Sequence, residues 1–395
     1  MLVASTIDPA LFDPNRYGAL RGGDARAVRE TKRDVTELCE HLYDAGMGHI
    51  LVDDTRSRVR NSMKTYRETH PEGIPQEIEM AWNSIPECRW VEIAVRDADF
   101  IRLSECIPHE GSRVALLLPG CDTRIDASIV APETRDAAEG AGVDLARVFD
   151  LMDYWRSPVH KRERDRRTAI PIGRRSKHYL LTEVLTPVLY WAKHVHLIDR
   201  YIGAASQEND NAQRDTSREG KRRRYDWGPL STFILEVYRA WTAGFYKGQG
   251  KFEVITCLAQ DDEGKKKAER LSPEEQRKSD DRRSDAATKQ ERSMTNRLVT
   301  LGCKEVRVRV KSGSRGRKAQ HDRYIVTNQG IAVGFSSGLD TIGKDLCDEG
   351  DIYLRPLKED DPRDPVTQWL GDDVVRRTCA ANLLSDAFKN VGVSP

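Results

Sequence analysis

"QHDRYIVTNQGIAVGFSSGLD", residues 320–340, reads as a strand, a turn and a returning strand that carries a histidine, an arginine and two serines. Side chains alternate along a strand, so His321, Arg323, Ile325 and Thr327 share one face while Asp322, Tyr324 and Val326 share the other. "NQG" turns the chain, and "IAVGFSSG" brings Ser336 and Ser337 to a strand end beside a glycine. An imidazole can attack phosphorus, a guanidinium can grip two phosphate oxygens, and a small hydroxyl can donate to a third. The set is competent to hold a phosphodiester. The plainer alternative is a structural histidine, bonded to Arg323 or Asp322 where a hairpin begins.

Around this hairpin lie further strands and helices. The strands "HVHLIDRYIG", "KFEVITCLA", "CKEVRVRVK" and "DIYLRPL" alternate with the helical stretches "YLLTEVLTPVLYWAKH" and 229–245. Before residue 155, "DARAVRETKRDVTELCEHLYDAG" has apolar residues at helical spacing and closes on Gly46. It is followed by the strand "HILVDD", the helix "PQEIEMAWNSI", the extended "RWVEIAV", a helix opened by "RDADFIRLSEC" and the strand "RVALLLPG". Such alternation predicts α/β architecture with a parallel sheet. At 395 residues the chain is long enough for two domains. We divide it into a flexible arm (1–25), a first domain (26–155), a basic, proline-containing linker (156–177) and a second domain (178–395). The second domain carries a charged helical insertion at 261–298.

The net charge of +1 conceals an asymmetry. Residues 1–155 hold 18 Lys/Arg against 28 Asp/Glu, and the remainder 46 against 35. A basic second half favours a nucleic-acid or other phosphate-bearing partner, although solvated helix faces give similar counts. Arg222, Arg223 and Arg224 form one cluster, and Arg307, Arg309 and Lys311 lie on one face of a strand leading toward His321. Tyr225, Trp227 and Tyr324 offer aromatic faces nearby. The eight cysteines are dispersed without a C-x-x-C pair and no histidines cluster at metal-ligand spacing, so a zinc site is not expected. No apolar run approaches the roughly 18 residues of a membrane span, and "MLVASTIDPALFDP" lacks a signal-peptide pattern. The expectation is a cytoplasmic protein with reduced thiols.

In a parallel sheet, ligands bind outside the carboxyl ends of the strands. Asp53 and Asp54 end one predicted strand, Asp97 opens a helix, and Asp122 and Asp126 follow "ALLL". Carboxylates converging on one edge repel, and a hard divalent cation such as Mg²⁺ or Mn²⁺ would resolve that conflict and activate water. Asp97 as a helix cap and Asp53 and Asp54 as turn residues form the alternative.

"HILVDD", "RDADF" and "LLLPGCD", in this order, resemble a PIN-like domain, a metal-dependent RNase fold. The resemblance implies Asp53, Asp97 and Asp122 as metal ligands. The family's usual glutamate on the helix after its first strand has only Glu68 as a counterpart here, among basic residues. The opening hairpin resembles the phospholipase D-like superfamily, whose motif is H-x-K-x4-D-x6-G-S-x-N. From His321 it aligns Arg323 with the lysine, Asn328 with the aspartate and Ser336 with the serine, while Phe335 and Gly338 depart from it. "HDRY…GFSSGLD" and "VHLIDRYIGAASQENDN" are more similar to the non-catalytic branch found at the C-terminus of MIT-domain proteins. That branch implies binding of acidic phospholipid or a protein partner. A catalytic reading of this superfamily needs two histidines, so one copy implies a homodimer.

Two functions follow. The first is a nuclease or nuclease-like effector, cutting DNA or RNA within a prokaryotic defence or toxin system. Its catalytic set would be His321, Arg323, Asn328 and Ser336 with no cofactor, or the N-terminal carboxylates with Mg²⁺ or Mn²⁺. The second is a non-catalytic module that docks nucleic acid, acidic lipid or a protein partner.

Overall fold

The computed structural model describes residues 3–13, 25–43, 49–54, 57, 60–61, 64, 68, 75–85, 87–93, 100–102, 115–117, 125–140, 144–164, 170–171, 177–207, 227–258, 272–311, 323–336, 339, 351–357 and 364–371. The chain divides into two compact units, residues 1–167 with 379–395, and residues 168–378. Both are α/β, the first built on a parallel sheet and the second on a mixed one.

Unit 1 runs β1 (Val3–Ile7), α1 (Ala25–Tyr43), β2 (His49–Asp54), α2 (Gln76–Ser84), β3 (Trp90–Ile93), β4 (Phe100–Arg102), β5 (Ala115–Leu117), β6 (Ala127–Ile129), α3 (Pro132–Gly140), β7 (Val148–Phe149), α4 (Leu151–Arg156) and α5 (Pro158–Arg164). Five strands pair in parallel in the order β3-β2-β1-β6-β7. The order reverses at β1, so the crevice beyond the carboxyl ends of β1 and β6 is where such sheets take ligands.

Three expectations are corrected here. Residues 3–7 belong to the central strand and not to a flexible arm: all five are buried, and Val3, Ala4 and Ser5 pair with His49, Ile50 and Leu51. A strand covered on both faces shows no alternation, and "VASTI" puts Ser5 and Thr6 in the interior. Thr6 Oγ1 donates to Ser128 Oγ at 3.0 Å, which meets its hydrogen-bonding need. Asp8 and Pro9 then begin a 3₁₀ turn, with Asp8 as its N-cap and Pro9 leading the turn. Second, Phe100–Arg102 is a strand paired antiparallel with β5 and not part of a helix, so "ALLL" lies outside the parallel sheet. Third, the linker expected at 156–177 contains α5 of unit 1 and a strand of unit 2, β8 (Ile170–Pro171).

The core of unit 1 gathers Val35, Leu38, Cys39 and Leu42 from one face of α1, with Leu51, Ile78, Trp82, Ile129, Leu151 and Tyr154. Burying each large apolar side chain contributes about 1.5–3 kcal/mol.

Unit 2 continues with α6 (Lys177–Tyr179 and Thr186–Tyr190, around a π-helical stretch Leu180–Leu185), β9 (His194–Ile198), α7 (Trp227–Thr242), β10 (Lys251–Cys257), α8 (Pro273–Leu301), β11 (Val306–Lys311), β12 (Arg323–Thr327), β13 (Ile331–Phe335), β14 (Asp351–Pro356) and α9 (Pro365–Leu370). Its sheet has the order β11-β10-β9-β12-β13-β14-β8. β9, β10 and β11 are parallel, and β12 lies antiparallel to β9. The carboxyl ends of β9–β11 therefore share an edge with the start of β12. α8 begins at a Ser272/Glu275 capping box and ends at Gly302, whose φ of 115° suits glycine. It buries Ala287, Met294 and Leu298, while most of its charged length is exposed.

Candidate functional site

The carboxyl edge of β9–β11 gathers charge in unit 2. Asp199 follows β9, is 2% exposed, and accepts the Tyr201 N–H at 2.8 Å. Arg323 opens β12 opposite it, with Nε 3.8 Å from Asp199 Oδ2 and Nη1 donating to the Ser336 carbonyl at 3.3 Å. The guanidiniums of Arg200 and Arg323 each lie 5.1 Å from the centroid of the Tyr201 ring. Burial pushes the Cys257 thiol at the end of β10 upward, while the positive charges of Arg200 and Lys311 pull it down. Two guanidiniums thus converge on one tyrosine beside a buried carboxylate.

A close approach holds this edge together. A Cβ on Gly203 would lie 2.2 Å from the Cys257 carbonyl oxygen. Gly203 N–H donates to Thr256 Oγ1 at 2.9 Å, and its carbonyl accepts from Gln290 Nε2 at 2.6 Å. Gly203→Ala should cost about 1–3 kcal/mol by forcing residues 202–207 off β10. A melting temperature equal to wild type would contradict that contact.

The hairpin residues separate in space. Arg323 and Ser336 meet at this edge, with Ser336 Oγ accepting from the Asp351 N–H at 2.7 Å. Asn328 sits beyond the far end of β12, fully buried, where Oδ1 accepts the backbone N–H groups of Lys193 (2.8 Å) and His194 (3.0 Å). Its work is to fasten the turn, because two buried amides need an acceptor there. The catalytic position that the motif alignment gave Asn328 is therefore not part of this edge. His321, Arg222, Arg223 and Arg224 lie outside the described residues.

The three cations of β11 also differ. Arg307 is exposed. Arg309 Nη2 lies 2.9 Å from both carboxylate oxygens of Glu253, so its charge is matched inside the sheet. Lys311 Nζ donates to the carbonyls of Gln368 and Trp369 near the end of α9, a favourable place for a cation.

In unit 1, Asp97 and Asp122 are outside the described residues. Asp53, the last residue but one of β2, is 3% exposed, and Arg60 Nε is 3.7 Å from its Oδ2. Arg60 also binds Glu92, the β3 residue paired with Asp53, and donates to Ser57 Oγ at 2.7 Å. Ser57 Oγ donates in turn to Glu92 at 2.9 Å. Among the described residues, the Arg60 guanidinium thus stands between the Asp53 and Glu92 carboxylates. Asp8, at the reversal of strand order, accepts from the N–H groups of Ala10 (2.9 Å) and Ala131 (3.2 Å).

A second polar group lies at the amino end of this sheet. Ser5 Oγ and His49 Nε2 are 2.5 Å apart, and His49 Nδ1 is 2.9 Å from Glu163 Oε1. Glu163 Oε2 is 2.8 Å from His41 Nε2 and accepts from Tyr154 OH at 2.9 Å. The connectivity is that of a Ser-His-Glu relay, but Ser5 is 0% and His49 2% exposed, so no substrate carbonyl reaches the hydroxyl. Burial raises the Glu163 carboxyl, yet the charge of His49 and the hydrogen bonds with His41 and His49 outweigh it and hold the group well below its ordinary value. Burial lowers His41 against the pull of Glu163, and burial with the Glu163 charge raises Tyr154.

Comparison with protein-family models, with curated proteins and with solved structures gives no match. The residues that sequence reasoning passed over are Asp199, Arg200 and Tyr201. The signal was present in "LIDRY", an apolar strand ending in charge, to which the strand-end rule used for Asp53 applies equally.

Proposed function

We propose that unit 2 docks nucleic acid through its phosphate backbone at the edge formed by Arg200, Tyr201, Arg323 and the Ser336 segment. The observation that carries this reading is the convergence of the Arg200 and Arg323 guanidiniums on Tyr201. A planar guanidinium already ordered by an aromatic face loses less freedom on gripping a phosphate. Nucleic acid is favoured over a lipid surface because the exposed large apolar residues described in unit 2, Val299 and Leu301, lie on α8 and not here.

Hydrolysis is the second reading. It is favoured by the meeting of Arg323 with Ser336, which leaves one phosphate-gripping group two residues from His321.

The test is fluorescence anisotropy with labelled single- and double-stranded DNA and RNA. Arg200→Ala should weaken binding about 10- to 100-fold, the worth of one charge-assisted contact of about 1.5–3 kcal/mol. Arg323→Lys keeps the charge, and with it the partner of Asp199, but loses the fork, so it should weaken binding less. Unchanged affinity in both variants would sink the reading. Incubating the same nucleic acids with wild type and His321→Ala, with and without EDTA, separates docking from cleavage. Products made by wild type in EDTA but not by the variant would assign hydrolysis to His321.

A further inference from the structure

We propose that His41, His160 and Glu163 form a site for one divalent transition-metal ion of the zinc class, which staples the end of α1 to α5. His160 and Glu163 are three residues apart on α5 and so share a helix face, and His41 reaches them from α1. One nitrogen from each imidazole and one carboxylate oxygen all lie within 4.8 Å of one another. His41 Nε2 is 2.8 Å and His160 Nδ1 3.8 Å from Glu163 Oε2. His160 Nδ1 is buried and has no hydrogen-bond partner, although it faces an ionised carboxylate. Zinc holds nitrogen and oxygen ligands at about 2.0–2.2 Å, which places neighbouring ligand atoms roughly 3–3.5 Å apart, so small side-chain movements close the set.

The surroundings are those of a supported metal site. His49 Nδ1 is 2.9 Å from the other oxygen of Glu163, and Tyr154 OH donates to Oε2, so the carboxylate is fixed from two further directions. Such outer partners orient ligands and sharpen affinity. The Trp155 ring lies 5.2 Å from His41 and 4.9 Å from His160, walling the cluster on one side. Two imidazoles with a single carboxylate select zinc, cobalt or nickel over Mg²⁺ or Mn²⁺, which prefer all-oxygen sets. His160, 16% exposed, marks the path of entry. Both imidazoles ligate as neutral rings, with His41 carrying its hydrogen on Nδ1 when the ion is bound.

The experiment uses the full chain, stripped of metal by a chelator and dialysed against Zn²⁺ or Co²⁺. Elemental analysis should find one zinc per wild-type chain and none at this site in His160→Ala. Zinc at about a hundred times its dissociation constant should raise the melting temperature of wild type by about 5–10 °C and leave that of the variant unmoved. Millimolar Mg²⁺ should not displace it. Equal zinc content in wild type and variant, or none in wild type, would overturn the proposal. Should the variant fail to fold, the wild-type Co²⁺ spectrum decides. A four-coordinate visible band without thiolate charge transfer supports the site, while no band, or a thiolate band from the cysteines, overturns it.

Discussion

Glu163→Ala, measured in chelator, should cost unit 1 about 3–5 kcal/mol, because removing one member of a buried, paired set leaves its partners desolvated and unbonded. The Glu163 side chain is 0% exposed and is contacted by His41, His49 and Tyr154 within 2.9 Å. Its loss strands two imidazoles and a phenol under α1 and α4, and opens a void where the carboxylate sat. For a domain of this size, that corresponds to a fall of about 8–15 °C in the melting temperature of unit 1. Glu163→Gln keeps the shape and one acceptor, so it should cost less than the alanine variant. A fall of under about 2 °C in Glu163→Ala would mean that the four groups do not form one network in solution.

Acid should destabilise unit 2 over two pH windows, and the groups responsible sit side by side on β9 and β10. Burial, with the positive charges of Lys193, His196 and Lys251, lowers His194 to about 4. Burial opposes the ionised Glu253, but the hydrogen bond and charge of His196 and the charges of Arg309 and Lys251 outweigh it and bring the carboxyl down to about 2. For His194 the unfolded chain takes up a proton near its ordinary value of 6.5 while the folded chain does not, so stability falls between 6.5 and about 4. For Glu253 the contribution is complete above its ordinary 4.5 and is lost as pH falls through about 2. With side chains only 3% and 6% exposed, His196 and Glu253 are little screened, and the carboxylate step is worth on the order of 2 kcal/mol. Melting temperature against pH should be flat above about 6.5 and fall in two limbs below it. His194→Gln should remove the upper limb and Glu253→Gln the lower. One limb surviving both substitutions would contradict the assignment.

Legibility in the sequence followed the reach of the forces involved. α1, β2 and the strands β9 to β14 were readable because their patterns are local: apolar residues at helical spacing in 25–43, and β-branched runs bounded by turns such as "NQG". β1 was not, because the burial of Ser5 and Thr6 is licensed by His49 and Ser128, 44 and 122 residues away. "HKRERD" looked like solvated linker for the same reason. Glu163, flanked in sequence by Lys161, Arg162 and Arg164, is buried because its partners come from residues 41, 49 and 154. In the candidate site, Arg323 and Ser336 were found from the hairpin. Asn328 was drawn in by alignment to a motif, although an asparagine before a turn is as well suited to capping backbone amides. The basic residues after β2 were noted as a departure, and Arg60 gives their use as counter-charge to Asp53 and Glu92.

The salt dependence of oligonucleotide binding tests the proposed edge most directly. Wild-type affinity should fall steeply as salt rises, and Arg200→Ala should lower the slope of log affinity against log salt by about one contact. A slope identical in wild type and Arg200→Ala, or no salt dependence in wild type, would place the phosphate contacts elsewhere and contradict the edge as the docking site.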